Sequence, residues 1–272
     1  MKPESIISGN SLDKMANLVC EIVRNLDDIT GLDRVWPRGV VHRGGPHYRL
    51  KGTVGPISLG VDECIVFGRL IERFKPANCF IIGNAFGMSS AFIAKMMEYH
   101  NGQAVITLDS KSEGNGSLCF ETAARVCDRM KCRILKNKWG WSPKDVMNAA
   151  EDGSYDLIFI DGDHSHPQVT LDFNAVQPLV REETIICWHD YWLAGIPESV
   201  GAAAKAGYQC VKVNTSCEMV FGTRSTTKFR ALKSMFPNSD NPVKRPRPMA
   251  YLRLYQAIMV GMLKAYLHRK SM

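Results

Sequence analysis

The organisation of the chain is clearest in residues 79–90, Cys79-Phe80-Ile81-Ile82-Gly83-Asn84-Ala85-Phe86-Gly87-Met88-Ser89-Ser90. The first four residues are all apolar, as expected of a short strand that is buried on both faces. Gly83 and Gly87 allow a tight turn and a close approach of the backbone to a ligand. Ser89 and Ser90 can bond the free amides at the start of a helix. The stretch therefore predicts a strand, a loop and a helix that runs from about residue 88 to residue 98.

The same order of strand and helix repeats along the chain after this stretch. Strands are predicted at 79–82, 104–108, 132–135, 155–160 and 184–188, with helices in between and at 197–206. Two further strands, 208–213 and 218–222, are so close in sequence that they must form a hairpin. This pattern predicts an α/β fold with a doubly wound, Rossmann-like sheet, mostly parallel, with a C-terminal antiparallel hairpin strand and helices on both faces.

Three segments are expected along the 272 residues. Residues 1–56 form an N-terminal helix, at about 11–27, and a cap segment that becomes irregular and rich in glycine and proline from residue 36 to about 60. Residues 57–222 form the domain that contains the sheet. Residues 223–272 form a basic C-terminal extension with an amphipathic helix at Tyr251–Leu267. The net charge of +7 is uneven, because residues 222–272 carry eleven Lys and Arg against one acid.

Composition excludes several classes of protein. The start of the chain lacks the apolar core of a secretion signal, and no apolar stretch approaches the roughly 20 residues that a membrane-spanning helix needs. The nine cysteines form no C-x-x-C pair, which favours buried thiols over a disulfide framework. The sequence therefore predicts a soluble, cytoplasmic protein.

Polar and aromatic residues follow the second and third predicted strands. Asp109 and Ser110 come directly after one strand, and a carboxylate there can accept hydrogen bonds from both ribose hydroxyls of a nucleoside. Trp141 and Ser142, in the segment Trp139-Gly140-Trp141-Ser142, offer an aromatic surface and a hydroxyl to an adenine ring. Core packing of Trp141 is the alternative.

The most specific motif is Tyr155-Asp156-Leu157-Ile158-Phe159-Ile160-Asp161-Gly162-Asp163-His164-Ser165, together with Trp188-His189-Asp190-Tyr191. With these motifs, residues 57–222 resemble the class I S-adenosylmethionine-dependent methyltransferases, and most closely the small-molecule and sugar O-methyltransferases of the family 24 type. The resemblance implies that Gly83 and Gly87 line the methionine end of the cofactor, that Asp109 holds the ribose, and that Trp141 and Ser142 flank the adenine. The predicted cofactor site comprises Gly83, Asn84, Phe86, Gly87, Ser89, Asp109, Ser110, Trp141, Ser142 and Asp161.

Two positions depart from the family pattern. Ile81 stands two residues before the first glycine, where the family usually has an acid, and this change would weaken binding of the cofactor's amino group. The acidic pair that helps to bind a divalent metal in related enzymes is here His189-Asp190.

A metal site is nevertheless expected at Asp161, His189 and Asp190. Adjacent carboxylates at the ends of neighbouring strands repel each other unless a cation lies between them, and their hard oxygens suit Mg²⁺ or Ca²⁺. His189 would make the site more like those for Zn²⁺ or Mn²⁺. The alternative is that Asp163 caps the next helix and that His189 bonds the backbone.

His164 is the candidate general base, with Asp161 beside it in the catalytic site. An imidazole has a pKa near neutrality and can take the proton of a hydroxyl that attacks the methyl group. The predicted reaction is therefore methylation of a hydroxyl on a small molecule or sugar. The alternatives are a nucleic-acid methyltransferase that uses the basic tail, and a non-catalytic protein that binds the cofactor or a partner. Residues 161–164 lack the Asn- or Asp-Pro-Pro-aromatic run of enzymes that methylate the amino groups of bases, which argues against nucleic acid.

The basic extension has three interpretations. Its segment Lys244-Arg245-Pro246-Arg247-Pro248 and the following amphipathic helix could pack on the core or form the interface of a homo-oligomer. They could also lie on an anionic membrane, where basic and apolar groups cooperate. Nucleic-acid binding is the third interpretation, although a basic patch alone is weak evidence for it.

Overall fold

A computed structural model describes residues 15, 17, 18, 21, 22, 32–35, 47–50, 59–110 and 117–242, except 152, 194 and 216. The five described residues between 15 and 22 are helical, in agreement with the predicted N-terminal helix. Met15 is buried and lies so close to Gly68 that a Cβ at that glycine would be 2.5 Å from the Met15 sulfur. The predicted helix at Tyr251–Leu267 and the basic stretch at 244–248 lie outside the described residues.

The main sheet has seven strands, and a separate pair of strands precedes it. Within the main sheet the order is β5-β4-β3-β6-β7-β9-β8. The strands are β1 (Leu32–Val35), β2 (His47–Leu50), β3 (Asn78–Ile82), β4 (Ala104–Asp109), β5 (Leu135–Trp139), β6 (Tyr155–Ile160), β7 (Val180–Trp188), β8 (Gln209–Val213) and β9 (Met219–Thr223). Strands β3 to β7 are parallel, whereas β9 is antiparallel to both β7 and β8. The predicted fold class is confirmed.

Helices cover both faces of the sheet. They are α1 (Val61–Phe74), α2 (Met88–Tyr99), α3 (Ser117–Met130), α4 (Val146–Ala149), α5 (Gln168–Ala175), α6 (Gly195–Lys205) and α7 (Thr226–Met235), with a short 3-10 turn at Gln177–Leu179. Buried residues of α1, α2, α3 and α7 belong to the apolar cluster on one face. Those of α4, α5 and α6 belong to the cluster on the other face.

The alternation of side chains along the central strands produces these two layers. Ile81 and Phe159 lie in the first cluster, while their neighbours Phe80 and Ile158 lie in the second. Successive residues of a strand point to opposite faces, so an unbroken apolar run supplies both cores at once. The direction of winding reverses between β3 and β6, and ligands of such sheets bind at the carboxyl ends of the strands beside this point.

Three predicted elements need correction. The third strand of the sheet is not at 132–135 but at Leu135–Trp139, where Lys136, Asn137 and Lys138 are tolerated because β5 is at the sheet edge. The helix expected between the third and fourth strands is only the single turn Val146–Ala149. The cap segment expected to be irregular contains β2, which pairs antiparallel with β1.

The packed unit continues beyond the predicted boundary at residue 222. Helix α7 buries Leu232 against the sheet, and Asp240 forms a backbone bridge with Lys212 of β8. Further along, the Tyr191 hydroxyl donates a hydrogen bond to the Pro242 carbonyl at 2.6 Å. The start of the basic extension at residue 223 stays a prediction, but residues 223–242 are attached to the sheet. In the described part of the chain, no helix combines the length and apolarity that crossing a membrane requires.

Candidate active site

The loop after β3 lies between the ends of β4 and β6 and packs on both. Gly83 has φ +88°, and a Cβ there would lie 2.0 Å from the carbonyl oxygen of Asp161. Its amide donates to the Leu108 carbonyl at 2.9 Å. Gly87 has φ +80°, and a Cβ there would lie 2.7 Å from the Cα of Ala123 in α3. Both positions thus require glycine, for backbone conformation and for close packing.

Asp109, at the end of β4, holds this loop by its backbone. Its Oδ2 accepts hydrogen bonds from the amides of Asn84 and Ala85, at 2.6 and 2.7 Å. Burial raises the pKa of Asp109 above its ordinary value, although these amides favour the charged form. The carboxylate predicted to hold a ribose therefore also fixes the loop at the sheet edge.

Other side chains of the predicted cofactor site point into the protein. Asn84 accepts a hydrogen bond from the Ser90 hydroxyl and donates one to Asn137, and the Ser89 hydroxyl accepts one from the Leu59 amide. The Phe86 side chain is buried in the core. These residues shape the loop, and a ligand would meet their backbone rather than their side chains. Their assignment to the cofactor site stays a prediction, as does that of Ser110.

Trp141 and Ser142 follow the edge strand β5. Trp141 is more than half exposed, so its ring is not core packing. The Ser142 hydroxyl donates to Asp172 at 2.6 Å, and Gln168 donates to both the Ser142 carbonyl and Asp172. Burial raises the pKa of Asp172. These bonds attach the Trp141 segment to α5 and leave the indole free to contact a ligand.

Four side chains from the ends of β6 and β7 converge beside the glycine loop. Asp161 Oδ1 lies 2.9 Å from His189 Nδ1 and 3.4 Å from His164 Nε2. Asp190 Oδ2 lies 3.3 Å from His189 Nδ1 and 3.6 Å from His164 Nδ1. Asp163 does not join them, because it is exposed and accepts a hydrogen bond from the Ser165 amide instead. The predicted catalytic and metal residues therefore share one site.

The acids and histidines of this cluster stabilise each other's charged forms. Burial disfavours an imidazolium at His189, but the charges of Asp161, Asp190 and Glu63 raise the pKa of His189 well above its ordinary value. Burial acts against the charge of His164 as well, and the same two aspartates raise its pKa. Burial likewise opposes ionisation of Asp161 and Asp190, yet the nearby imidazoles hold both carboxyl pKa values below their usual range.

The cluster has the donors that a divalent metal ion requires. Ligand atoms of Asp161, His164, His189 and Asp190 all lie within 4.8 Å of one another. Two of them, His164 Nε2 and His189 Nδ1, are buried and make no hydrogen bond of good geometry, although Asp161 Oδ1 lies near both. For ligands about 2.1 Å from a tetrahedral metal, neighbouring ligand atoms are about 3.4 Å apart, close to the separations seen here. Asp190 has φ +55°, a conformation that aspartate tolerates and that often marks functional positions.

Comparison with known proteins concerns the segment that contains this site. Residues 80–191 match the sequence model of a family described as a methyltransferase domain. Over this segment the chain is similar to methyltransferase domains, in agreement with the predicted resemblance to the class I, S-adenosylmethionine-dependent type. The match contains every residue of the predicted site, from Gly83 to Asp190. Comparison with curated proteins finds no match.

Solved structures with the same fold as this methyltransferase domain include three from different organisms. An O-methyltransferase from Bacillus cereus in complex with S-adenosylhomocysteine has 15% identity and a TM-score of 0.51, over 81% of this chain and 93% of the other. An O-methyltransferase from Streptomyces achromogenes involved in tomaymycin synthesis, in complex with S-adenosylmethionine, has 11% identity and a TM-score of 0.53, over 81% and 92%. A methyltransferase from Podospora anserina bound to S-adenosylhomocysteine has 10% identity and a TM-score of 0.54, over 82% and 99%. At these identities the likeness concerns the fold.

One residue of the site lies outside the matched segment and is not predicted from the sequence. Glu63, in the first turn of α1, is fully buried, and its Oε2 lies 3.0 Å from His189 Nε2. In the sequence, the pair Asp62-Glu63 indicates only the positive end of a helix dipole. No local pattern reveals that this acid meets a histidine 126 residues away.

Ile81, the first departure from the family pattern, is a core position. The Ile81 side chain is buried in the apolar cluster beside α1 and α2. An acid at this place would be surrounded by apolar groups. The matched segment therefore has no carboxylate at position 81 with which to bind a cofactor amino group.

Proposed function

We propose that this chain transfers the methyl group of S-adenosylmethionine to a hydroxyl oxygen of a small molecule or sugar, with a divalent metal ion held by Asp161, His189 and Asp190. The proposal is supported by one observation above the others. The acid and histidine cluster lies directly against the glycine loop, since Gly83 packs on the backbone of Asp161. A cofactor on the loop and an acceptor at the cluster would therefore be neighbours.

Residues at the carboxyl ends of the parallel strands have distinct roles in this reaction. The loop fixed by Asp109 positions the cofactor, and the exposed indole of Trp141 covers its adenine. S-adenosylmethionine supplies an electrophilic methyl group bonded to a sulfonium. Alignment of the acceptor oxygen with that methyl group contributes much of the acceleration, because an oriented pair avoids the entropic cost of encounter.

His164 receives the proton of the acceptor. Its Nε2 lies against Asp161 and keeps its proton, while Nδ1 accepts the proton that the hydroxyl loses. As the oxygen bonds to the methyl carbon, the carbon–sulfur bond breaks and its electron pair stays on sulfur, which becomes a neutral thioether. General-base assistance of this kind contributes about 10²- to 10⁴-fold.

The metal would orient and acidify the hydroxyl. Asp161 and Asp190 supply one carboxylate each, and His189 supplies Nδ1. A nitrogen ligand makes this donor set more suitable for Zn²⁺ or Mn²⁺ than for Mg²⁺, which prefers oxygen. His164 has 22% side-chain exposure against 5% for His189, so it is the imidazole that an acceptor can reach.

The test is a methyl-transfer assay on the purified protein with labelled S-adenosylmethionine and a panel of hydroxyl compounds. We expect incorporation of label that requires a divalent ion, disappears in excess EDTA and returns with Mn²⁺ or Zn²⁺. Cofactor affinity, measured by calorimetry, should be nearly unchanged by EDTA. Transfer that continues at full rate in EDTA would contradict the metal, and cofactor binding without transfer to any hydroxyl would contradict the acceptor class.

A further inference from the structure

Glu63 is a buried carboxylate whose four hydrogen-bonding contacts come from three separate parts of the chain. Oε2 accepts from the Gly60 amide at 2.8 Å and faces His189 Nε2 at 3.0 Å. Oε1 accepts from the Thr215 hydroxyl and the Cys217 amide, both at 3.0 Å. Glu63 thereby joins the start of α1, the turn between β8 and β9, and the end of β7.

This arrangement determines which nitrogen of His189 faces the cluster. The Glu63 carboxylate accepts from two amides and a hydroxyl. Because a carboxylate has no proton to donate, it must accept from His189 as well. Nε2 must then carry the proton and act as the donor. Nδ1 is consequently turned toward Asp161 Oδ1 at 2.9 Å and Asp190 Oδ2 at 3.3 Å, and it is buried without hydrogen-bond geometry to either.

A second contact restrains the same ring. The His189 imidazole packs edge-on against Phe159, with the ring centroids 6.0 Å apart and an interplanar angle of 78°. Rotation of the imidazole about its bond to Cβ would break both this contact and the bond to Glu63. The ring is therefore held in one orientation before any ligand arrives.

We infer that Glu63 is a positioning residue that fixes His189 with Nδ1 available as a metal ligand, and that it thereby directs the site toward metals that prefer nitrogen. The inference rests on the metal site of the proposed function. A histidine ligand whose other nitrogen donates to a carboxylate has a fixed tautomer and a more basic ligating nitrogen. Zn²⁺ gains more from such a nitrogen than Mg²⁺ does.

The experiment compares Glu63→Gln with Glu98→Gln by calorimetric titration with Zn²⁺ alone and with Mg²⁺ alone. The amide at position 63 has one acceptor oxygen for four donors, so the bond to His189 is lost or weakened. Loss of a carboxylate that supports a metal ligand typically weakens metal binding about 10- to 100-fold. We expect that loss for Zn²⁺, a smaller one for Mg²⁺, and hence a lower ratio of Zn²⁺ to Mg²⁺ affinity.

Glu98 is the matched control because it is a glutamate of similar burial and bonding. Its side chain is 5% exposed and accepts from the amides of Arg133 and Ile134 and from Lys95. Glu98→Gln should destabilise the fold without changing the ratio of affinities. An unchanged ratio in folded Glu63→Gln, or an equal fall in Glu98→Gln, would overturn the inference.

A measurement on the unaltered protein covers the case in which Glu63→Gln does not fold. Nitrogen-15 NMR of the Zn²⁺-loaded protein should show His189 protonated at Nε2 and coordinated at Nδ1. Coordination through Nε2, or none by His189, would overturn the inference. Protein that binds no divalent ion but still methylates a hydroxyl would also overturn the inference about Glu63, while the proposed methyl transfer would remain supported. The expected metal data without methyl transfer would overturn only the proposed reaction.

Discussion

Replacement of Asp109 by alanine removes the carboxylate that fixes the glycine loop. Two short hydrogen bonds are lost, from the amides of Asn84 and Ala85 at 2.6 and 2.7 Å. A hydrogen bond to a charged group contributes about 1.5–3 kcal/mol. If only one such contribution is transferred to cofactor binding, the dissociation constant rises at least about tenfold, which corresponds to about 1.4 kcal/mol.

The assay is calorimetric titration of S-adenosylmethionine into Asp109→Ala and into the control variant Asp156→Ala. Asp156 also accepts from two consecutive amides, those of Ala77 and Asn78, at 2.8 and 3.2 Å. It lies at the start of β6, so these bonds are at the opposite end of the sheet. Both variants should lose stability in urea, because both free two backbone amides. Only Asp109→Ala should lose affinity for the cofactor.

Two results would refute this reasoning. Equal cofactor affinity in Asp109→Ala and in the unaltered protein would show that neither the loop nor the ribose depends on this carboxylate. Equal weakening by Asp156→Ala would show that the loss comes from general destabilisation. A folded Asp109→Asn variant, which retains one acceptor oxygen, should fall between the two extremes.

The other predictions concern the base, the glycine and the tail. His164→Gln should lower kcat about 10²- to 10⁴-fold without changing cofactor affinity, and a rate within threefold of normal would exclude it as the base. Gly83→Ala should lose cofactor binding, because its Cβ would meet the Asp161 carbonyl. Gly207→Ala is the control, with the same φ of +88° and open space around it, and it should lower only the free energy of unfolding in urea, by about 1–2 kcal/mol of backbone strain. A chain that ends at Pro242 should still bind the cofactor but lose salt-sensitive co-sedimentation with anionic vesicles, since residues 243–272 carry seven Lys and Arg and no acid. Full-length protein that does not bind such vesicles at low salt would refute this prediction.

Strands of the sheet were predictable from the sequence where they are central and apolar. The runs at β3, β4 and β6 supply both cores and differ sharply from the amphipathic helices between them. β5 was misplaced for the opposite reason. As an edge strand it contains Lys136, Asn137 and Lys138, which give no apolar pattern, and the more apolar residues 132–135 before it resemble a strand. Tertiary position decided the outcome there, not local propensity.

The candidate active site was predictable as far as its residues follow strand ends. Asp109, Asp161 and Asp190 each lie at or just after the end of a parallel strand, and the carboxyl ends of such strands meet at one edge. The inward orientation of Asn84, Ser89 and Phe86 was not readable, because loop residues have no periodicity that tells which side chains face a ligand. Their partners Asn137 and Leu59 lie 53 and 30 residues away.

The histidine at position 189 and the glutamate at position 63 are best understood as a pair. A carboxylate at position 189 would bring only acceptors to the cluster, whereas an imidazole brings a second nitrogen that must be satisfied inside the protein. His189 has only 5% side-chain exposure, and an unsatisfied buried donor costs about 1–3 kcal/mol. Glu63 meets this need from outside the matched methyltransferase segment. The Gly60 amide, the Thr215 hydroxyl and the Cys217 amide in turn satisfy its own charge. His189 is the residue that makes this cluster differ from an all-carboxylate metal site. It is therefore also the residue whose second nitrogen is satisfied by Glu63 inside the protein.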